Sequence, residues 1–444
     1  MSGTGYYSSA PTAAPSKPPN RGRRRLFFIA MTLLTLVACD LLARGYLMLV
    51  LPYGNLSELI DRQRTAAMGA TVSEGASEVI HPYLGWVHNP QLNRPEQMDD
   101  REVRTNSLGF RDEGEAVRKR SPDVFLLGIC GGSVAWNFSW EGETRLKQLL
   151  ADLPQLQGRE LQIVRLALPG YKQPQQVMAL NYVLSLGGEF DAVLNIDGFN
   201  DGALSILENA RQKTSLAYPR SWHARSLVMT DPRISAEAWR LLTLRAERQR
   251  LGKQALQSPL RWLALYQLWW HLKDEDTRAE LARLGLDISQ SNSSSFLHHG
   301  PLPEKESTAE QAVAAADLWI RSSQQMQAVC KGQGIPYLHI LQPNQYVPDS
   351  KPFTEFELEK CLADGQDLQT VTVAAYAELR AAGARAKQGG LNFSDQTGLF
   401  STVTDTLYVD PWCHFNRRGN ELLAEAVASE LKNLLQASQP VSGQ

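Results

Sequence analysis

The chain has 444 residues, 43% of them hydrophobic and 21% charged, a composition that can bury a large core in one domain with insertions or in two domains. Its formal net charge of −2 provides no positive field for nucleic acid, so we expect no nucleic-acid partner. Its five cysteines are too scattered for a disulfide scaffold, although one disulfide stays open, and no CxxC or HExxH spacing indicates a metal site.

The first 51 residues predict a membrane anchor. Residues 1–25 form a tail, rich in Ser, Gly, Pro and Ala, that is typical of disorder and ends in four arginines. An apolar run begins at Leu26. The run is long enough to cross a bilayer over residues 26–51 if the side chain of Arg44 reaches the interface. Asp40 lies one helical turn before Arg44 and could pair with it. The arginines predict a cytoplasmic tail and a main domain outside the cytoplasm, in the periplasm.

Other interpretations of this segment stay open. A cleaved signal peptide has similar regions, and the sequence Leu36-Val37-Ala38-Cys39 has the form of a site at which bacterial lipoproteins are cut and lipidated. The tail before the arginines is long for a signal peptide, which favours an uncleaved signal anchor. The arginines that abut the apolar run also disfavour a buried helix of a soluble protein.

Residues 52–120 are predicted to be a linker and an N-terminal extension. Two segments there, HPYLGWVHNP and TNSLGFRDE, are aromatic and punctuated by Gly, Pro and Asn, which indicates ordered loops ahead of the first core strand. Their histidines, His81 and His88, lie seven residues apart among prolines. We favour a structural role for both over a catalytic or ligand-binding one.

Residues 121–436 alternate predicted strands and helices, which indicates an α/β fold: a three-layer α/β/α sandwich around a mostly parallel sheet. A strand at Val124–Ile129 meets a glycine turn and then Ser133, and later strands end near Gly170 and Asn200. Further helices are predicted near 142–153, 173–186, 308–332 and 365–385 and from Arg418, with a strand at 335–343. Sites in such sheets lie beyond the carboxyl ends of the strands.

Residues 203–300 interrupt this alternation and predict a helical insertion or cap. Packing between its helices is favoured over a ligand surface for its five tryptophans, and a solvated loop is favoured over a metal site for His298 and His299. A second disordered tail is predicted at residues 437–444.

The residues at the strand ends predict acyl transfer by a serine. Ser133 is the candidate nucleophile, His414 the base, and Asp410 the group that orients the base. The candidate oxyanion donors are the backbone N–H groups of Ser133 and Gly170 and the side-chain amide of Asn200.

Each of these residues also has an ordinary structural interpretation. Asn200 and Asp201 could cap a helix, Gly170 could be a turn glycine, and His414 could simply precede a helix. The occurrence of all four features in order, each at a strand end, favours the catalytic interpretation.

The blocks Gly132-Ser133, Gly170, Gly198-Phe199-Asn200-Asp201 and Asp410 with His414 resemble those of the SGNH/GDSL hydrolases. The PYLGW and NSLGFRD segments are similar to a membrane-anchored bacterial branch of that family. The resemblance covers residues 80 to 432 apart from the insertion, and it implies the same roles for the same residues.

The sequence departs from the family pattern at two blocks. Gly132 stands where the first block usually has Asp, and Asp410 lies four residues before His414 rather than three. The longer spacing leaves open that a backbone carbonyl or another carboxylate holds the histidine.

The sequence thus predicts a membrane-anchored serine esterase or deacylase, without cofactor or metal, that removes an acyl group, expected to be acetyl, from a small molecule or a polysaccharide. Transfer of the acyl group to an extracellular polysaccharide uses the same residues and remains an alternative. A non-catalytic binding or assembly factor of the cell envelope is the third hypothesis.

Overall fold

The structure is a computed structural model of the chain, and it describes residues 21–51, 56–68, 78–92, 96–98, 101–226, 232–291, 296–301, 307–362 and 366–437. The predicted tails lie largely outside this range, since helix α1 begins at Arg21 and helix α13 ends at Ala437.

The described residues form a mixed α/β protein with a parallel sheet, which confirms the α/β part of the predicted fold. Its α-helices are α1 (Arg21–Leu49), α2 (Leu56–Met68), α3 (Ser133–Glu141), α4 (Glu143–Leu150), α5 (Gln175–Ser185), α6 (Trp222–Arg225), α7 (Pro232–Gln257), α8 (Ala264–Ser291), α9 (Phe296–His299), α10 (Thr308–Gly332), α11 (Glu355–Lys360), α12 (Gln366–Gln388) and α13 (Arg417–Ala437). Its strands are β1 (Glu78–His81), β2 (Gly85–His88), β3 (Glu96–Met98), β4 (Arg101–Thr105), β5 (Arg111–Asp112), β6 (Val124–Gly131), β7 (Glu160–Arg165), β8 (Ala192–Asp197), β9 (Tyr337–Leu341) and β10 (Phe393–Asp395).

The chain divides into two compact units. A helical unit contains α1, α2 and Thr243–Arg283, and an α/β unit contains the described residues from Glu78 to Leu242 and from Leu284 onward. The predicted insertion at residues 203–300 therefore contributes to both units.

Five strands of the α/β unit form a parallel sheet in the order β10-β9-β8-β6-β7. The chain goes from β6 to its neighbour β7 and then returns to the other side of β6 to form β8. The sheet therefore has its topological switch point between β6 and β8, the place where ligands bind in open α/β sheets. Ser133 follows the first of these strands and Asn200 follows the second.

The helices of the α/β unit pack in two groups. Helices α3, α4 and α13 contact one another, whereas α5, α10, α12 and a π-helix at Asn200–Asn209 form a separate group of mutual contacts. Buried apolar side chains from both groups and from the strands join in one core. The helices predicted before and after the insertion are all present, whereas β10 and the π-helix had no clear sequence signal.

The N-terminal extension forms small antiparallel sheets. Strands β1 and β2 make a hairpin, and β3, β4 and β5 make a three-stranded sheet. Gly109 of the NSLGFRD segment has a φ of 86°, and its carbonyl accepts a hydrogen bond from the His88 N–H. Asp112 of the same segment pairs with the buried Arg165 of β7 at 2.9 Å. Both segments of the extension therefore contain short strands, where the sequence predicted ordered loops, and one of them is tied to the central sheet.

The helical unit contains the segment that could cross a membrane. The part of α1 from Arg24 to Leu49 is long and apolar enough to span a bilayer, and most of its side chains are exposed. Near its end, Ala43 and Leu47 are buried in a small apolar cluster with Ala264 and Trp270 of α8. This helix agrees with the predicted anchor.

Candidate active site

Ser133 stands where strand β6 turns into helix α3. Gly131 has a φ of 145°, and a Cβ on it would lie 2.1 Å from the carbonyl oxygen of Ile196, so the turn requires glycine. Ser133 is the first residue of α3 and is half-buried. The backbone N–H groups of a first helical turn have no acceptor within the helix, and the helix dipole favours negative charge there.

The structure brings the serine, the histidine and the aspartate together in a chain of hydrogen bonds. The Oγ atom of Ser133 lies 2.7 Å from Nε2 of His414, and Nδ1 of the same imidazole lies 2.6 Å from Oδ2 of Asp410. Both imidazole nitrogens thus have the partners that a general base needs: the hydroxyl that loses its proton and a carboxylate that fixes the tautomer.

The four-residue spacing of Asp410 and His414 is accommodated by a tight turn. The second carboxylate oxygen, Oδ1, accepts hydrogen bonds from the backbone N–H groups of Trp412 at 2.8 Å and His414 at 3.4 Å. The additional residue is accommodated because Cys413 adopts a left-handed conformation with φ 68°. The buried sulfur of Cys413 accepts a hydrogen bond from the side chain of Gln342. The longer spacing therefore still brings the carboxylate to the imidazole.

The environment of Asp410 favours its charged form. Burial would raise the pKa of this carboxyl, but the hydrogen bond from His414 and those from the backbone outweigh burial and hold the pKa below its usual value. Asp410 is therefore a carboxylate at neutral pH, the form that can accept a hydrogen bond from the imidazole.

A buried ion pair holds the segment that leads into this turn. The carboxylate of Glu357 accepts hydrogen bonds from the backbone N–H groups of Leu407 and Tyr408 at 2.8 and 2.9 Å. Its other oxygen lies 2.9 Å from the ammonium group of Lys351, and both side chains are fully buried. Nearby, the amide of Gln345 donates to the carbonyl of Asp410 at 3.0 Å. These contacts fix the backbone on the N-terminal side of the turn at residues 410–414.

The candidate oxyanion residues converge from three segments. The Asn200 amide donates to the Tyr171 carbonyl at 2.9 Å, next to Gly170 in the chain. A Cβ on Gly132 would lie 2.4 Å from the nitrogen of that amide, so the amide also contacts the serine turn. An asparagine amide has two N–H groups, so one remains after the bond to Tyr171. The position before the serine holds glycine because this amide occupies the space of a side chain.

Asp201 does not cap the following helix. Its buried carboxyl accepts hydrogen bonds from the backbone N–H groups of Gln173 at 2.6 Å and Gly198 at 3.2 Å, and it thereby ties two of the blocks together. Burial lowers the pKa of the neighbouring Lys172 to about 8, against the opposing effect of Asp201. The Lys172 ammonium donates to the Leu216 carbonyl, which connects this lysine to the loop at residues 214–221.

That loop supplies a residue that the sequence did not single out, Arg220. Its guanidinium Nη1 lies 3.6 Å from the point that a Cβ would occupy if Gly170 had one. Glu208, near the end of the π-helix that starts with Asn200, accepts from the Arg220 Nε at 2.7 Å and from the hydroxyl of Ser221 at 3.0 Å. A positive charge is thus held beside a candidate oxyanion residue. No local motif marks it, since Arg220 lies in the insertion, 50 residues from Gly170.

The other histidines named in the sequence have structural contacts. His81 accepts hydrogen bonds from the backbone N–H groups of Tyr83 and Leu84. His298 is buried and lies 2.6 Å from the hydroxyl of Ser226, so the prediction of a solvated loop is wrong for this residue. Among the residues that the structure describes, no group of three His, Cys, Asp or Glu side chains could hold a metal ion, and all five cysteines are free thiols.

Models of known protein families give no match to this chain, and neither do the curated proteins.

Proposed function

We propose that the protein is a serine esterase or deacylase of the SGNH type that acts on an O-acyl ester, with its α/β unit built as the three-layer α/β/α sandwich of that family. The observation that carries the proposal is the continuous hydrogen-bonded chain from Ser133 Oγ through His414 to Asp410 Oδ2. Its location at the switch point of the parallel sheet supports the same conclusion.

In the acylation step, Ser133 Oγ forms a bond to the ester carbonyl carbon while its proton moves to Nε2 of His414. Asp410 holds the imidazole through Nδ1 and stabilises the imidazolium that forms. The oxyanion receives hydrogen bonds from the Ser133 and Gly170 backbone N–H groups and the remaining amide hydrogen of Asn200. The bond to the alcohol then breaks, and the departing oxygen takes the proton from His414.

In the deacylation step, water gives a proton to His414 and its oxygen bonds to the acyl carbon, after which the Ser133 oxygen leaves and regains the proton. A sugar hydroxyl in place of water gives O-acyl transfer with the same residues. Mass analysis of the products from an acetylated glycan in buffer distinguishes the two. Hydrolysis releases one free acetate per acetyl group lost, whereas a transferase returns the group to a second glycan.

Labelling with a fluorophosphonate probe tests the nucleophile. We expect the full-length protein to be labelled and Ser133→Ala to remain unlabelled. Ser139→Ala, which removes another hydroxyl from the same helix, serves as the matched control and should label like the wild type. Equal labelling of wild type and Ser133→Ala, or of neither, would leave a non-catalytic envelope protein as the better hypothesis.

We also propose that α1 anchors the protein in the cytoplasmic membrane with the α/β unit in the periplasm. The arginines before the apolar window support this orientation, because positive residues stay on the cytoplasmic side. Protease added to spheroplasts should remove the α/β unit without lysis. Protection of the intact chain until lysis would reverse the orientation.

A further inference from the structure

One segment of the helical unit exposes apolar side chains to an unusual degree. The elbow, defined here as Pro259–Leu272, comprises a 3₁₀ turn and the first turns of α8. From Trp262 to Leu272 it contains no Asp, Glu, Lys or Arg. Six large apolar side chains are between 43% and 62% exposed: Leu260, Trp262, Leu263, Leu265, Trp269 and Leu272. The prediction that the tryptophans pack inside the insertion is therefore wrong for Trp262 and Trp269 and also for Trp239 of α7, although Trp270 is buried.

The elbow is attached to the end of the apolar helix. The Asp40 carboxylate accepts a hydrogen bond from the backbone N–H of Leu265 at 2.8 Å, in the first turn of α8. Asp40 thus satisfies one of the N–H groups that lack a partner within α8. Ala43 and Leu47, on the same side of α1 as Asp40 by helical spacing, pack with α8 in the small buried cluster.

The position of Asp40 along α1 sets the depth of this contact. A bilayer core of about 30 Å corresponds to about 20 helical residues, so a span that begins just after Arg25 ends near Gly45. Asp40 would then lie roughly 8 Å inside the far boundary. A carboxylate at that depth is costly unless it is paired, and its partner here is the first turn of α8.

Polar contacts fix the elbow and mark where its apolar character ends. The buried side chain of Gln267 accepts from Gln63 of α2 at 2.7 Å and donates to the carbonyl of Arg261 at 2.6 Å. Charged residues begin at Lys273, and Asp274 pairs with Arg62 and Arg248. Helix α8 therefore passes from an uncharged, exposed segment to a charged one within a single turn.

We propose that the elbow inserts into the outer boundary of the bilayer beside α1, so that the protein is held by two membrane contacts rather than by a single helix. The proposal rests on α1 lying in the bilayer and is independent of the esterase chemistry. We assign lipid as the partner of the elbow because its exposed apolar side chains continue those of α1, to which the elbow is joined by the Asp40 contact. The Arg261 guanidinium lies 4.8 Å from the ring of Trp262. Tryptophan and arginine side chains are both typical of membrane interfaces.

The test uses the full-length protein in lipid vesicles, with one environment-sensitive fluorophore on a single introduced cysteine. Cys39 is replaced by Ala, and the other four cysteines are buried. The label is placed by Trp262→Cys in the elbow, by Leu34→Cys in α1, and by Arg278→Cys further along α8 as the matched control. Quenching is measured with a nitroxide lipid and, separately, with iodide in the water.

We expect the label at position 262 to be quenched several-fold more strongly by the nitroxide lipid than the label at position 278, with the reverse order for iodide. If position 262 behaves like 278 while position 34 is quenched by lipid, the elbow lies in water and the inference is overturned. If the label at position 262 is shielded from both quenchers and energy transfer occurs between labels on two molecules, the elbow joins two copies of the protein. The inference then also fails. If position 34 is not quenched by lipid, the anchor itself is wrong.

Discussion

Asp410 contacts His414, which in turn contacts Ser133, so the charge of Asp410 can be tested without removing the hydroxyl or the imidazole. Asp410→Asn would present an amide N–H or a neutral oxygen to Nδ1 and lose the carboxylate that fixes the tautomer. We expect kcat to fall about 10³- to 10⁴-fold. Steady-state hydrolysis of an activated acetyl ester measures this, with Asp405→Asn, an exposed carboxyl in the same segment, as the control. A fall of less than tenfold would assign the orienting role to another group.

The same residue gives a pH expectation. The pKa of Asp410 is held below its ordinary value of 3.8, so this carboxylate stays ionised from neutral pH down to below that value. Any loss of activity between pH 7 and pH 5 must then come from a group other than Asp410. The pH at which kcat falls on the acid side should therefore be the same in the wild type and in a variant that only weakens a hydrogen bond to Asp410 Oδ1.

Gly132 is the residue at which this chain departs from the Gly-Asp-Ser pattern, and the Asn200 amide explains it. Gly132→Ala places a Cβ within 2.4 Å of the Asn200 amide nitrogen and should displace it. We expect kcat to fall about 10²- to 10³-fold, as for loss of one oxyanion donor.

Asn200→Ala should have a similar effect, and the two changes together should cost little more than either alone, because both remove the same donor. Gly332→Ala, where a Cβ meets no atom within 4 Å, is the control. Additive losses in the double variant would show that the amide is not the common target.

Arg220 predicts a preference for substrates with negative charge near the ester. Its Nε is held by Glu208, and its Nη1 lies beside Gly170. Arg220→Gln should raise KM about tenfold for an acetylated uronate or phosphorylated sugar, and should leave KM for a neutral ester unchanged. Arg220→Lys, which keeps the charge, should recover part of the loss. Equal effects on both substrates would mean that Arg220 is structural.

At the scale of elements, the buried pair of Glu357 and Lys351 holds the segment that leads into the turn at residues 410–414. Glu357→Gln leaves the Lys351 ammonium buried without its carboxylate, which typically costs about 3–5 kcal/mol. The double variant Lys351→Met with Glu357→Gln should regain most of this stability, because it removes both charges. Denaturant unfolding of the detergent-solubilised protein measures the three free energies. If the double variant is no more stable than Glu357→Gln, the unpaired charge of Lys351 is not the cause of the lost stability.

The serine and asparagine blocks could be predicted because each follows the end of a strand, β6 or β8, whereas the last strand before Asp410 and His414 ends at Asp395. The alternation of elements identified β6 and β8, and glycines beside Ser133 and Asn200 marked tight turns, so chain order alone brought them to one edge of a sheet. Arg220 and Glu357 could not be found in this way. Their roles arise from contacts with residues about 50 positions away in the chain. Arg220 belongs to no local pattern, and the capping box of Thr354 and Glu357 marks only the start of α11.

At the scale of the whole molecule, the sequence predicted the anchor but not the division of the insertion between two units. Hydrophobic periodicity reports that a helix has an apolar face, not which element covers that face. Trp269 and Trp270 are neighbours in α8, yet Trp269 is 46% exposed and Trp270 is buried in the cluster that contains Ala43. The difference arises because α1 contacts only one side of α8.

Glu143 links three parts of the α/β unit, so its titration should be visible in the stability of the whole unit. Its carboxylate pairs with Arg165 of β7 at 2.6 Å, with Arg101 of β4 at 2.7 Å and with Lys147 within α4. Burial opposes its ionisation, but these cations outweigh burial and lower the pKa below its ordinary value of 4.5. Because the folded-state pKa is the lower one, the contribution to stability is fully present above about pH 4.5 and is lost as the pH falls through the folded-state value.

We therefore expect Glu143→Gln to lower the free energy of unfolding by about 1–3 kcal/mol at pH 7. The difference from wild type should shrink as the pH falls below 4.5, because protonation removes the same charge from the wild type that the substitution removes from the variant. Glu425→Gln, which breaks the partly exposed pair with Arg145, should change stability by no more than about 0.5 kcal/mol at any pH. Urea unfolding at pH 7, 5 and 3.5 measures both. A Glu143→Gln deficit that stays constant over this range would mean that its carboxylate stabilises the fold by packing and neutral hydrogen bonds, not by charge.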